Sequence, residues 1–232
     1  MNFVVPPRPV VTVPVTGVAD AVFPVRRVYC VGRNYAAHAQ EMGHTGREPP
    51  FFFLKPADAV MAVESGSVGR MPYPSLTQDL HHEIELVVAI GTEGKNIAAA
   101  DALAHVYGYA VGLDMTRRDL QADMKKQGRP WCIGKGFDFS APMGPITRAG
   151  DAGPIHNAAI ALKVNGTVRQ TSQTSLMIWS VAETIASLSR AWELQPGDLI
   201  FTGTPEGVAA VVRGDVLEGA IAGLESLTVQ MV

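Results

Sequence analysis

Apolar and polar positions alternate most cleanly from His81 to Gly91, HHEIELVVAIG, where Ile84, Leu86, Val88 and Ile90 recur with the two-residue period of a β-strand. His81, Glu83 and Glu85 then share the opposite face. The next apolar stretch, YGYAVGLD from Tyr107 to Asp114, sets Tyr107, Tyr109, Val111 and Leu113 against Gly108, Ala110, Gly112 and Asp114, so its acid lies on a face of small residues. Shorter strands are expected at Val10–Val15, Arg27–Gly32, within Pro49–Pro56, at Leu199–Pro205 and near Leu224–Val232. Ala161–Gln170 reads as a hairpin turning at Asn165-Gly166, a dipeptide suited to the positive φ of tight hairpin turns. Helical spacing is expected at Tyr35–Met42, capped by Asn34 and ended by Gly43, at Ala98–His105, from the Thr116/Asp119 capping-box pair to about Gln127, and at Met177–Ala191. Residues 57–79 carry glycines and prolines that break any period, and read as loop. Strands dominate without regular βαβ alternation, which argues against a doubly wound sheet and predicts a mixed, β-rich α+β domain.

Composition narrows the function classes. With 232 residues, 47% of them hydrophobic, the chain can bury a full core. A net charge of −3 without a basic stripe gives no expectation of a nucleic-acid partner. No apolar run is long enough for a membrane span and the N-terminus lacks the pattern of a signal peptide, so no membrane partner and a cytoplasmic location are expected. The two cysteines, Cys30 and Cys132, are too few for a disulfide framework and read as reduced thiols, Cys30 as core packing.

The acidic strands carry the candidate chemistry. Residues two apart on a strand have roots roughly 6–7 Å apart, and two such carboxylates beside a buried row raise each other's pKa unless a cation lies between them. A solvated strand face is the alternative for Glu83 and Glu85 alone. Asp114, approached along small residues that leave room for a ligand, adds a third oxygen donor; three carboxylates without a convergent Cys or His set favour Mg²⁺, Mn²⁺ or Ca²⁺ over zinc. His38 and Glu41 are spaced to touch on one helix face, either as a dyad or as an exposed pair. Lys135 stands between Gly134 and Gly136, where the backbone can approach a ligand. Arg117, Arg118 and Gln121 begin the helix after Asp114 and reach either the metal's ligand or solvent.

Taken in order, GRNYAAHAQEMG, FFFLKPADA, LHHEIELVVAIG, GYAVGLDMTRRDLQ, WCIGKGFD, LKVNGTVRQTSQTSLMIWS and QPGDLIFTGTPEGV resemble the fumarylacetoacetate hydrolase family, nearest its bacterial fumarylpyruvate hydrolase and mitochondrial acylpyruvase branches. The resemblance runs from about Arg27 to the C-terminus, which divides the chain into an extended arm, 1–26, and a catalytic domain, 27–232. It implies a β-roll or β-sandwich-like fold, a homodimer, and Mg²⁺ or Mn²⁺ held by Glu83, Glu85 and Asp114. It also implies a catalytic dyad of His38 and Glu41 on a lid, Lys135 assisting the reacting carbonyl, and substrate contacts from Gln121, Arg118 and Thr204.

The reaction so implied is hydrolysis of a carbon–carbon bond in a β-diketo acid such as fumarylpyruvate, as in gentisate-type aromatic catabolism, with no organic cofactor. Oxaloacetate decarboxylation and isomerisation of hydroxymuconate-type diene acids use the same metal and enolate, and a non-catalytic β-rich module holding structural Ca²⁺ is a different class. The His38/Glu41 pair favours hydrolysis, because decarboxylation needs no activated water. A fumaryl group adds a distal carboxylate, for which Arg117, where this chain departs from the mitochondrial relatives, is the first candidate and Arg33 the next.

Overall fold

The structure, a computed structural model, describes residues 2–36 and 47–232. Strand Ile84–Ile90 lies in the interior of an eight-stranded sheet, between Leu199–Phe201 and Val106–Leu113, both antiparallel to it. Val28–Gly32 and then Phe51–Lys55 extend the sheet beyond Leu199–Phe201; Ala141–Met143 and Val60–Ala62 extend the other side. A five-stranded sheet, ordered Thr167–Gln173, Ala159–Val164, Val216–Ile221, Leu227–Met231, Val68–Met71, packs against it. The fold is β-rich α+β. Among the described residues no helix is long and apolar enough to cross a membrane.

All of Ile84–Ile90 is buried, on both faces. Ile84, Leu86, Val88 and Ile90 join the core between the sheets with Ile160, Leu162, Leu217 and Val229. Val87 and Ala89 face a second core with Cys30, Phe201, Val13 and Phe23. That second core exists because Thr12–Pro14 and Val22–Pro24 pair as a hairpin laid over the sheet. The N-terminal segment thus covers the face that Glu85 shares. Burial of a Leu or Ile side chain contributes about 1.5–3 kcal/mol, so a strand buried on both sides holds its register firmly.

Several local expectations change in the three-dimensional context. Tyr107 packs against Phe23 in the second core and not beside Tyr109, because the ladder passes from Ala89↔Gly108 to Ile90↔Val106 and leaves Tyr107 as the extra residue of a bulge. Segment 57–79 contains the strands Val60–Ala62 and Val68–Met71, formed through parallel pairing with distant strands that no local pattern signals. Of Ala98–His105 only Ala102–His105 winds, as a single 3₁₀ turn. The hairpin does turn at Asn165-Gly166, with φ of 51° and 75°. The later helix runs Val181–Ala191 behind a Ser180/Glu183 capping box, with Met177 outside it. The expected helix Tyr35–Met42 lies almost wholly outside the described residues. Asn34 acts as a tie: its side chain donates to Trp179 O at 2.9 Å and Thr202 O at 2.8 Å, and accepts from Trp179 N at 2.8 Å.

Candidate metal centre

The ladder between Ile84–Ile90 and Val106–Leu113 sets the acids opposite one another. Ile84 pairs with Leu113, and one step beyond, the Asp114 amide donates to Glu83 O at 2.8 Å. Glu85 pairs with Gly112. Glu83, Glu85 and Asp114, all buried, each offer a carboxylate oxygen within 4.8 Å of the others. The small residues beside Asp114 serve packing and not ligand access. A Cβ on Gly112 would meet Val87 Cγ2 at 2.5 Å and the Phe201 ring at 2.7 Å, and one on Gly108 would meet Thr147 O at 2.3 Å.

Cations are already built around the acids. The turn α1, Cys132–Lys135, ends with the Lys135 ammonium donating to Glu83 Oε2 and Asp114 Oδ2, each at 2.7 Å. Lys55, the buried last residue of its strand, lies 2.8 Å from Asp114 Oδ1 and also donates to the carbonyls of Met115 and Lys135. Arg118, which opens helix Arg118–Lys126, gives Nη2 to Glu83 Oε1 at 2.5 Å, Nη1 to Gln121 Oε1 at 2.6 Å and Nε to His81 Nδ1 at 3.4 Å. His81 Nε2 is 2.8 Å from Asp79, so Asp79 and His81 orient the arginine.

Among the described residues no cation forms an ion pair with Glu85, and Lys135 acts on it only from a greater distance. Glu85 accepts a hydrogen bond from the Gly203 amide at 2.8 Å. Burial first, then the Asp114 and Glu83 charges, push its pKa well above the ordinary carboxylate range. For Lys135, burial works against the charged form, but Asp114 and Glu83 outweigh it and the ammonium is stabilised. A divalent cation fits this arrangement: it would relieve the repulsion on Glu85, its ligands would be hard oxygens, and among the described residues Asp114 Oδ1 has no aligned hydrogen bond despite its closeness to Lys55.

The structure brings Glu83, Glu85, Asp114, Lys135, Arg118 and Gln121 into one contact network. Thr204 follows Gly203 in the loop that holds Glu85, and its hydroxyl accepts from Gln170 Nε2 at 2.9 Å. Arg117 is separate: its guanidinium lies 4.3 Å from the Phe137 ring centroid, and Nη1 donates to Ile133 O at 3.2 Å. Arg33, with φ of 58°, stands 5.3 Å over the Phe51 ring. The Thr116 capping box does not form: the Thr116 hydroxyl donates to Asp114 O at 3.1 Å, and Asp119 instead accepts from the Thr77 hydroxyl at 2.7 Å and from its neighbouring amides. His38 and Glu41 lie outside the described residues.

Sequence reasoning did not reach Lys55, Gln170 or the Asp79–His81 pair as site residues. A lysine ending the very apolar strand FFFLK was a usable signal, since a charge so placed is buried and must meet a counter-charge. Gln170 carried no signal beyond its hairpin. A cavity of about 440 Å³ beside Tyr109, Ile155, Met177 and Val181 is lined by none of the three acids and is distinct from this centre.

Known proteins place the site in context. Residues 27–232 match the family described as fumarylacetoacetate (FAA) hydrolase, C-terminal. The crystal structure of a fumarylpyruvate hydrolase from Pseudomonas aeruginosa in complex with Mn²⁺ and pyruvate is 58% identical, with a TM-score of 0.97 over 100% of this chain and 99% of that one. A mitochondrial oxaloacetate tautomerase from Rattus norvegicus is 42% identical over 202 residues, 87% of this chain and 90% of that protein. A 5-carboxymethyl-2-hydroxymuconate delta-isomerase from Mycobacterium smegmatis is 37% identical, with a TM-score of 0.77 over 91% of this chain and 80% of that one. With the match spanning the whole body of the fold and every motif of the acidic centre, the chain belongs to the fumarylacetoacetate hydrolase family.

Proposed function

We propose that the protein hydrolyses a carbon–carbon bond in a β-diketo acid, with fumarylpyruvate giving fumarate and pyruvate, and that it works as a homodimer. The observation that carries this reading is the buried triad of Glu83, Glu85 and Asp114 with the Lys135 ammonium spanning two of its members. The 58% identity to the fumarylpyruvate hydrolase supports the choice of substrate.

Glu83, Glu85 and Asp114 would hold Mg²⁺ or Mn²⁺, which would supply Lewis-acid polarisation and a template for the oxo acid. His38, oriented by Glu41, takes a proton from water, and the resulting hydroxide attacks the distal carbonyl carbon. The bond between that carbon and the methylene then breaks, its electron pair passing into the pyruvate enolate, which takes up a proton to give pyruvate. Lys135 stabilises the oxygen on which that negative charge develops, and charge that grows only along the reaction is where a fixed ammonium accelerates most. Arg118 and Gln121 orient the substrate, as does the Thr204 hydroxyl.

The rat relative, an oxaloacetate tautomerase, supports a second reading, enol–keto conversion of oxaloacetate at the same centre. A panel of fumarylpyruvate, acetylpyruvate, fumarylacetoacetate and oxaloacetate, with Mg²⁺ or Mn²⁺ present, separates the two. The highest kcat/KM is expected for fumarylpyruvate; turnover of oxaloacetate alone would overturn the hydrolase reading.

A further inference from the structure

Strand Thr167–Gln173 sends one long polar side chain into the interior, that of Gln170, which is 1% exposed. Its carboxamide joins two parts of the metal centre that are far apart in sequence. On one side, Oε1 accepts from the Ile84 amide at 3.1 Å and lies 3.0 Å from His82 Nδ1; on the other, Nε2 donates to Pro205 O at 2.8 Å and to Thr204 Oγ1 at 2.9 Å.

Two backbone groups fix which end of the amide is which. The Ile84 N–H can only donate and the Pro205 carbonyl can only accept, so oxygen must face Ile84 and nitrogen must face Pro205. It follows that Thr204 Oγ1 accepts a hydrogen bond from Gln170, and that its own O–H points elsewhere. Among the described residues the Thr204 hydroxyl has no acceptor, although Thr204 is only 3% exposed. That loop has little freedom to rearrange. A Cβ on Gly207 would lie 2.1 Å from Arg169 O and one on Gly203 2.7 Å from Asn34 Cβ, and the Gly203 amide is bound to Glu85.

We propose that Gln170 is a positioning residue: by donating to the Thr204 hydroxyl oxygen, it turns that hydroxyl's proton toward the substrate and makes Thr204 a donor to an anionic oxygen of the bound oxo acid. This rests on the function proposed above and adds the residue that sets the polarity of its hydroxyl. Gln170 touches neither substrate nor metal.

The test is a double-mutant cycle read by calorimetric binding of pyruvate to the Mn²⁺-loaded protein, with Mn²⁺ affinity and thermal unfolding measured alongside. Gln170→Glu keeps the oxygen facing Ile84 and puts an acceptor opposite Thr204, drawing the hydroxyl proton inward. Pyruvate affinity should fall about tenfold, the worth of one charge-assisted hydrogen bond, while Mn²⁺ affinity stays unchanged. Thr204→Val should match that fall, the double variant should be no weaker than Thr204→Val alone, and Thr204→Ser should recover binding relative to Thr204→Val. Independent, additive losses would overturn the proposal, as would undiminished binding in Thr204→Val. Gln170→Met provides the cycle if the glutamate variant does not fold. If Thr204→Val loses binding but every folded Gln170 variant binds as the parent does, Gln170 does not set the hydroxyl. Failure of the parent protein to bind pyruvate would instead count against the function proposed above.

Discussion

The Lys55 ammonium lies 2.8 Å from Asp114 Oδ1, with both side chains buried. Removing one member of a buried pair costs about 3–5 kcal/mol where the other charge is left unpaired; here Lys135 still holds Asp114 Oδ2 at 2.7 Å, which reduces the cost to about 1–3 kcal/mol. Lys55→Met should therefore destabilise the metal-free protein by that order in urea unfolding, and saturating Mn²⁺ should recover part of the loss by replacing the missing positive charge. Equal stability of Lys55→Met and the parent in chelator would show that the pair is not a structural requirement.

Glu83→Gln, Glu85→Gln and Asp114→Asn should each weaken Mn²⁺ binding at least tenfold by isothermal titration calorimetry, whereas Glu225→Gln, whose carboxylate pairs with exposed Ser65, should not. In the parent, Mn²⁺ at about a hundred times its dissociation constant should add about 2.7 kcal/mol to unfolding stability. A melting temperature insensitive to the metal would contradict the site.

Arg117 reaches the neighbourhood of the centre sideways, packed on Phe137 and bonded to the carbonyl of Ile133 in the turn that ends at Lys135, with its Nε buried and, among the described residues, without a hydrogen-bond partner. For Arg117→Ala, kcat/KM for fumarylpyruvate should fall about tenfold with acetylpyruvate little affected, if Nε meets the distal carboxylate. A parallel fall for both substrates would mean that Arg117 braces the turn carrying Lys135, leaving Arg33 as the candidate.

The capping box gives a pH signature remote from the metal. Glu183 accepts from the Ser180 amide, its hydroxyl and Arg47, and these bonds, the amide's foremost, hold its pKa below the ordinary 4.5. A carboxylate depressed in the folded state adds stability that is full above its unfolded pKa and is lost as pH falls through the folded value. Urea midpoints measured from pH 7 downward should thus show a loss below about pH 4.5 that is smaller in Glu183→Gln. Ser180→Ala should cost about 1 kcal/mol at pH 7. A parent and a Glu183→Gln variant with superimposable pH profiles would dismiss the box as a contributor.

How much of this was legible in the sequence depended on the range of the interaction. Alternation along Ile84–Ile90 assigned the inward row correctly, because the pleat is a local property of the backbone. It could not show that the opposite face is also buried, since the cover comes from Val13 and Phe23, far away in sequence. The two adjacent strands brought Glu83, Glu85 and Asp114 together on paper. The partners supplied by distant strands, Lys55 from Phe51–Lys55 and Gln170 from the hairpin, leave no periodic trace and appear only once the sheets are assembled. The glycines near Asp114 misled for a related reason: an absent side chain is the same in the sequence whether a ligand or a neighbouring Phe201 fills the space.

Because the acids, both lysines and the Gly203 loop converge from strands scattered along the chain, their assembly requires many long loops to close. The three acids lie on two consecutive strands, but no short segment holds them together with Lys55, Lys135 and Gly203. Such non-local topology makes for slow folding, with the centre completed only as the sheet docks. A metal that needs the finished centre gains little at the folding barrier, so its stabilisation will appear chiefly as slower unfolding, with the refolding rate almost unchanged.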